Sequence, residues 1–200
     1  MSRSVTPVEE SSGVRFGRTL IVPATGDLFG QGVQAIVCPA NRRGVMGAGI
    51  AGRVRMAGGI DIEREAMAQA PLAVGAAVST GAGALAGRGV QAVIHAVVSD
   101  SLGAPTRIDI VQNATAAALK EADRLRVRSI LVPPLGSGLG AGRLPTGMVS
   151  AAMIEEIVAH LRRFTCRLER IVLSQPDARE ADTIRKALVE ARELWWGLKV

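Results

Sequence analysis

The chain has 200 residues, 48% of them hydrophobic and 2% aromatic, with a formal charge of +6. That length fits one domain with a sizeable core, and despite a mean hydropathy of +0.26 no apolar run approaches the ~20 residues that span a bilayer. The positive charge is mostly arginine, which pairs well with phosphate, but tyrosine is absent and base-stacking platforms are missing, so direct nucleic-acid binding is not favoured.

Met1 to Gly13 is polar, carries Glu9 and Glu10, and has no apolar stretch like that of a secretory signal. It reads as a flexible tail ahead of a single domain over residues 14–200. Short apolar runs then alternate with helical patterns. Strands are expected at Thr19–Pro23, Ala35–Cys38, Ala76–Thr80, Ala92–Val98, Ser129–Val132 and Arg170–Ser174. Helices are expected at Gly49–Ala57, Asp61–Gln69, Arg107–Leu125, Thr146–Arg162 and Ala178–Leu194. Thr146 and Asp177 are the expected caps of the last two. Strands alternating with helices imply an α/β fold with a largely parallel sheet. Ligands of such sheets sit at the carboxyl ends of strands.

Two glycine-rich loops fall at such ends. Arg42-Arg43-Gly44-Val45-Met46-Gly47-Ala48-Gly49-Ile50-Ala51-Gly52 follows the second strand, and Leu135-Gly136-Ser137-Gly138-Leu139-Gly140 follows the fifth. Glycine lets backbone N–H groups approach an anion closely, so the pair makes a clamp for a diphosphate. Gly47 to Gly52 also fits G-x-G-x-x-G. The dinucleotide fingerprint, however, wants its strand to end at the first glycine and an acid ~20 residues on, and neither condition holds. Arg42 and Arg43 either reach the phosphates or are solvated loop charges.

Asp27 and Asn41 are the polar side chains placed to fix a ligand. Each has a structural alternative, as a turn residue bonding its own backbone. His95, mid-strand among apolar neighbours, reads as a core histidine. His160 is expected at the surface, and Trp195-Trp196 either packs the last helix or forms a contact patch. Cys38 and Cys166 lie far apart in no CxxC pair, which argues against a disulfide framework and a cysteine-built zinc site. Cys38 reads as a small buried hydrophobe. No metal is expected, and a reducing cytoplasm fits.

Taken in order, Gly26-Asp27-Leu28-Phe29, Ala35-Ile36-Val37-Cys38-Pro39-Ala40-Asn41, Gly47-Ala48-Gly49, the His95 strand and Pro134-Leu135-Gly136-Ser137-Gly138-Leu139-Gly140 resemble the macro domain family of ADP-ribose binders, once called Appr-1-p processing proteins. The resemblance covers Thr19 to Leu188. Parts of it are similar to the terminal ADP-ribose glycohydrolase branch and to the antitoxin branch paired with DNA ADP-ribosylating toxins. It implies a three-layer α/β/α sandwich with a mixed, largely parallel sheet. It further implies that Asp27 accepts from the adenine amine, with the Leu28 N–H nearby, and that Asn41 reads the distal ribose. Gly47, Ala48, Gly49 and Ile50 would donate to the diphosphate, and Gly136, Ser137, Gly138, Leu139 and Gly140 would cover it from the other side.

The departures bear on catalysis. Ala51 stands where one hydrolytic branch carries an acid. Val78-Ser79-Thr80-Gly81 lacks the lysine of the glycohydrolase and antitoxin branches, and Gly140 replaces a loop acid. Ser174-Gln175 stands where an aromatic often stacks on adenine, so stacking is expected to be weaker or to come from Phe29 or elsewhere. The implied function is a reader that binds ADP-ribose, or an ADP-ribosylated macromolecule, without a required cofactor. The alternative is an ADP-ribosyl hydrolase or O-acetyl-ADP-ribose deacetylase acting through Asn41 and the glycine loops.

Overall fold

A computed structural model describes residues 13–138, 144–163 and 166–197. Its strands are β1 (Val14–Phe16), β2 (Thr19–Ala24), β3 (Ala35–Asn41), β4 (Ala77–Gly81), β5 (Ala92–Ser99), β6 (Ser129–Val132) and β7 (Arg170–Ser174). Its helices are α1 (Gly49–Gly58), α2 (Ile60–Ala68), α3 (Ile108–Arg124), α4 (Thr146–Arg163) and α5 (Ala178–Gly197), with a 3-10 turn at Gly83–Arg88. The seven strands form one sheet in the order β1-β2-β7-β6-β3-β5-β4. The two edge pairings, β1 with β2 and β4 with β5, are antiparallel, and the four between them are parallel.

The parallel strands are apolar on both faces because both faces are covered. Alternation along each strand sorts the side chains. Ala35 and Val37, Ile94 and Ala96, Ile130 and Val132, and Ile171 and Leu173 pack under α3, α4 and α5. Ile36 and Cys38, Val93, Leu131 and Val172 face the other way, under α1, α2 and the 3-10 turn. The result is the three-layer sandwich with a mixed, largely parallel sheet.

Every expected strand and helix forms, most within one residue of the expected ends, and β1 is added at the sheet edge. The capping of α4 differs from expectation. Its first hydrogen bond runs from the Val149 N–H to the Pro145 carbonyl, so Pro145 holds the cap position and Thr146 lies inside the helix. Asp177 does cap α5, its Oδ1 accepting from the Glu180 N–H at 2.9 Å. His160 is buried, not at the surface, because it lies on the inner face of α4. Trp195 packs edge-on against Phe16, ring centroids 5.6 Å apart. The tail residues 1–12 and the Trp196 side chain lie outside the described residues. Among those residues, no helix is long and apolar enough to cross a membrane.

Strand order also locates the crevice. After β3 the chain passes to α1 on one face of the sheet. After β6 it passes to α4 on the other face. β3 and β6 are neighbours, so their loops diverge and open a cleft between them, as expected at a topological switch point.

Candidate functional site

At that point a crevice open to solvent lies over the carboxyl ends of β3, β5 and β6. Asn41, Ala48, Gly49 and Ile50 border it from the first loop, and Gly136 and Gly138 from the second. Residues of both glycine loops therefore border one cavity. Gly47 and Ser137 adjoin these residues in sequence without bordering the cavity. Leu139 and Gly140 lie outside the described residues.

Asn41 reaches the crevice through an irregularity in the sheet. Ala40 pairs with Val97 but Asn41 pairs with Ser99, so Val98 is left over on β5. A bulge of this kind re-aims side chains at the end of a strand, and Asn41, Val98 and Ser99 all border the cavity. The Asn41 amide also holds its own loop. Its Oδ1 accepts from the N–H groups of Arg43 at 3.0 Å and Val45 at 3.4 Å. Its Nδ2 donates to the Val45 carbonyl at 2.8 Å. A primary amide carries two N–H donors, so one Nδ2 hydrogen lies beyond that bond.

Ala48, extended at φ −151° and ψ 173°, is the cap residue of α1 and places no side-chain acceptor on its first amides. Orphan N–H groups and the helix dipole make such an end suited to an anion. The second loop needs glycine at Gly136. Its φ is +83°, and a Cβ there would stand 2.7 Å from Thr106 Cγ2, closer than packing allows. The loop is held by the Leu135 N–H on the Met153 sulfur at 3.4 Å and the Leu144 N–H on the Gly136 carbonyl at 3.3 Å.

Sequence reasoning missed Glu63, which fixes the first loop from α2. Its carboxylate accepts from the Met46 N–H at 2.6 Å and from Arg55 at 3.0 Å, and the residue is buried. Burial opposes its charge, but the Met46 N–H and the Arg55 guanidinium together hold its carboxyl below the usual glutamate range. The available signal was an acid between Ile62 and Ala66 on the apolar side of α2. The wall supplied by β5 and its following loop, Ser99, Leu102 and Gly103, was also missed. The rule that ligands sit at carboxyl ends of strands applies to β5 as well.

Asp27 and Leu28 stand beside the cavity and do not border it. Leu28 is buried in the same cluster as Met46 and Ala51, which seats the Asp27 turn against the first loop and α1. The exposed Asp27 carboxylate accepts from the Phe29 N–H at 3.0 Å and lies 3.8 Å from the Arg88 guanidinium. Phe29 carries the Arg53 guanidinium 5.9 Å from its ring centre. Arg42 is exposed and lies 3.5 Å from Asp100.

Other chemical groups are engaged elsewhere. His95 is wholly buried, its Nε2 2.9 Å from the Thr80 hydroxyl. Burial pushes its pKa down to about 4, so it is a neutral core group. Burial likewise pushes the Cys38 thiol up to about 12, which removes it as a nucleophile. Ser79 lies on β4 and accepts from Arg124 at 3.1 Å. Among the described residues, no carboxylate, lysine or histidine borders the crevice.

The fold is a three-layer α/β sandwich with a crevice at its switch point, and comparison with known proteins supplies the family. A family model described as Macro domain matches residues 37–152. An uncharacterised protein of Aquifex aeolicus is 39% identical over 154 residues, covering 76% of this chain and 88% of the relative. The chain belongs to the macro domain family.

Solved structures agree in fold. The Oceanobacillus iheyensis macrodomain, solved with the buffer molecule MES, superposes with a TM-score of 0.77 at 18% identity over 91% of this chain and 97% of that one. The Trypanosoma brucei macrodomain, solved with ADP-ribose, gives 0.72 at 21% identity over 84% and 68%. The macrodomain of Thermus aquaticus DarG gives 0.65 at 24% identity over 78% and 98%.

Proposed function

We propose that residues 14–200 act as one domain that binds ADP-ribose, free or carried on a modified macromolecule, and serves as a reader of ADP-ribosylation in a reducing cytoplasm. One observation carries the reading. The uncapped amino terminus of α1 and the Gly136 loop border one cavity, and among the described residues no side-chain anion lies on that border to repel a diphosphate. Backbone donors of Gly47, Ala48, Gly49 and Ile50 would hold the phosphates from one side. The loop from Gly136 through Ser137, Gly138, Leu139 and Gly140 would cover them from the other. The second Nδ2 hydrogen of Asn41 would donate to the distal ribose. Asp27, with the Leu28 N–H, would receive adenine beside Phe29, after the carboxylate exchanges part of its contact with Phe29 and Arg88. The T. brucei relative, solved with ADP-ribose, supports the choice of ligand.

Calorimetry of the full chain against ADP-ribose tests this reading. Heat of a single site is expected, and none at millimolar ligand overturns it. The enzymatic alternative would have to act through Asn41 and the backbone of the two loops. A positioned base or nucleophile is what such chemistry ordinarily requires. Release of ADP-ribose from a modified target above the buffer rate would replace the reader with a hydrolase.

A further inference from the structure

At the opposite, amino-terminal end of the sheet, three side chains that the crevice does not use converge. Asp123 lies in the last turn of α3, His160 near the end of α4, and Cys166 leads into β7. One oxygen, one nitrogen and one sulfur from these residues all lie within 4.8 Å of one another. His160 Nε2 is 2.8 Å from Asp123 Oδ2. The His160 side chain is 4% exposed, and Cys166 is buried.

We infer that Asp123, His160 and Cys166 form a binding site for one divalent cation of the zinc type. Thiolate, imidazole and carboxylate together are the donor set that zinc selects over the hard cations. Tetrahedral zinc bonds of about 2.0–2.3 Å place ligand atoms roughly 3.3–3.8 Å apart, so shifts of about an ångström at the side chains would close the site. Once Cys166 is a thiolate beside the half-buried Asp123 carboxylate, a divalent cation between them makes the group neutral.

The outer contacts suit the same use. The Leu168 N–H points at Cys166 Sγ from 3.4 Å, and the Arg167 N–H at Asp123 Oδ1 from 3.5 Å. Bonds of this kind orient metal ligands. Cys166 also borders a small recess shared with Phe16, Thr19, Leu161 and Trp195. Of the three ligands Cys166 is the one that borders it, so an ion would enter from the thiol side.

On binding, the Cys166 thiol loses its proton to the buffer as the metal–sulfur bond forms. His160 holds the ion through an Nε2 lone pair and keeps a hydrogen on Nδ1. The thiol proton leaves to the buffer, with no change of oxidation state. The bound ion would pin α3 and α4 to the start of β7.

The test uses the full chain, stripped with a chelator and titrated with Co²⁺ and then Zn²⁺. The expected result is one ion per chain, a thiolate-to-cobalt charge-transfer band with tetrahedral d–d absorption, and a raised Tm with Zn²⁺. Cys166→Ser should abolish the charge-transfer band, and His160→Gln should weaken Zn²⁺ at least about tenfold. Cys38→Ser should keep the band, and Cys166→Ser should bind ADP-ribose as the parent does. Failure of the unmutated chain to take up stoichiometric cobalt, or a charge-transfer band that survives Cys166→Ser, overturns the inference. These optical readouts need no ADP-ribose, so they stand apart from the fate of the crevice reading.

Discussion

At the scale of single residues, Asn41 and Gly136 carry the crevice in different ways. Asn41→Ala leaves the Val45 carbonyl and two N–H groups of the first loop without their side-chain partner. The expected loss is about 1–3 kcal/mol in urea unfolding, with weakened ADP-ribose binding in calorimetry. Gly136→Ala forces a side chain into a left-handed backbone and against Thr106, which is expected to cost about 1–3 kcal/mol. Gly138→Ala meets nothing within 4 Å and should stay within about 0.5 kcal/mol of the parent. Equal effects at the two glycines would refute the argument that the second loop is shaped by Gly136. Asn41 was legible because a polar residue ended an apolar strand before a glycine loop. Its bonds to its own loop were not, since they depend on where Val45 returns in space. The burial of His160 was missed for a related reason: its inward position is set by packing on α3 and by the segment leading into β7, which local pattern does not report.

At the scale of elements, α1, α2 and the 3-10 turn hold the first loop. A Cβ on Gly83 would lie 2.0 Å from the Gly58 carbonyl oxygen, and Gly83 has a φ of +53°. The turn and the end of α1 therefore touch backbone to backbone. Gly83→Ala should lower stability by about 2 kcal/mol or more, visible as a reduced Tm. Glu63 ties α2 to Met46 and gives a pH signature. Its folded pKa lies below the ordinary value of 4.5, so its contribution is complete above that value. It fades as pH falls through the depressed folded pKa. The stability gap between the parent and Glu63→Gln should thus be widest near neutrality and close in acid, read from urea midpoints across pH 7 to about 3. A gap that widens on acidification would contradict the assigned direction. The helices and long strands were legible because their apolar periods are strong. β1 was not: three residues carry too little period, and it exists only because Arg15 and its neighbours pair with β2. Likewise, nothing local to Ala77–Gly81 marks it as antiparallel, since direction is fixed by its partner β5.

At the scale of the whole molecule, the order β1-β2-β7-β6-β3-β5-β4 decides where a ligand can sit. The sequence placed both glycine loops at strand ends but did not show that β6 returns beside β3, which is what makes two loops one clamp. The same arrangement excludes titratable side chains from the described border of the crevice. A diphosphate keeps its charge across the accessible pH range, and donor groups that are backbone N–H and a carboxamide do not ionise there either. ADP-ribose affinity should therefore be nearly flat between about pH 5.5 and 9, with a change of less than about threefold, measured by calorimetry in buffers of matched ionic strength. A base or lysine at work in the crevice would instead impose a titration on binding or on any turnover. A bell-shaped profile would point to such a group and to the hydrolase reading. A flat profile joined to absent turnover would be the behaviour of a module that recognises its ligand through groups that do not titrate in this range.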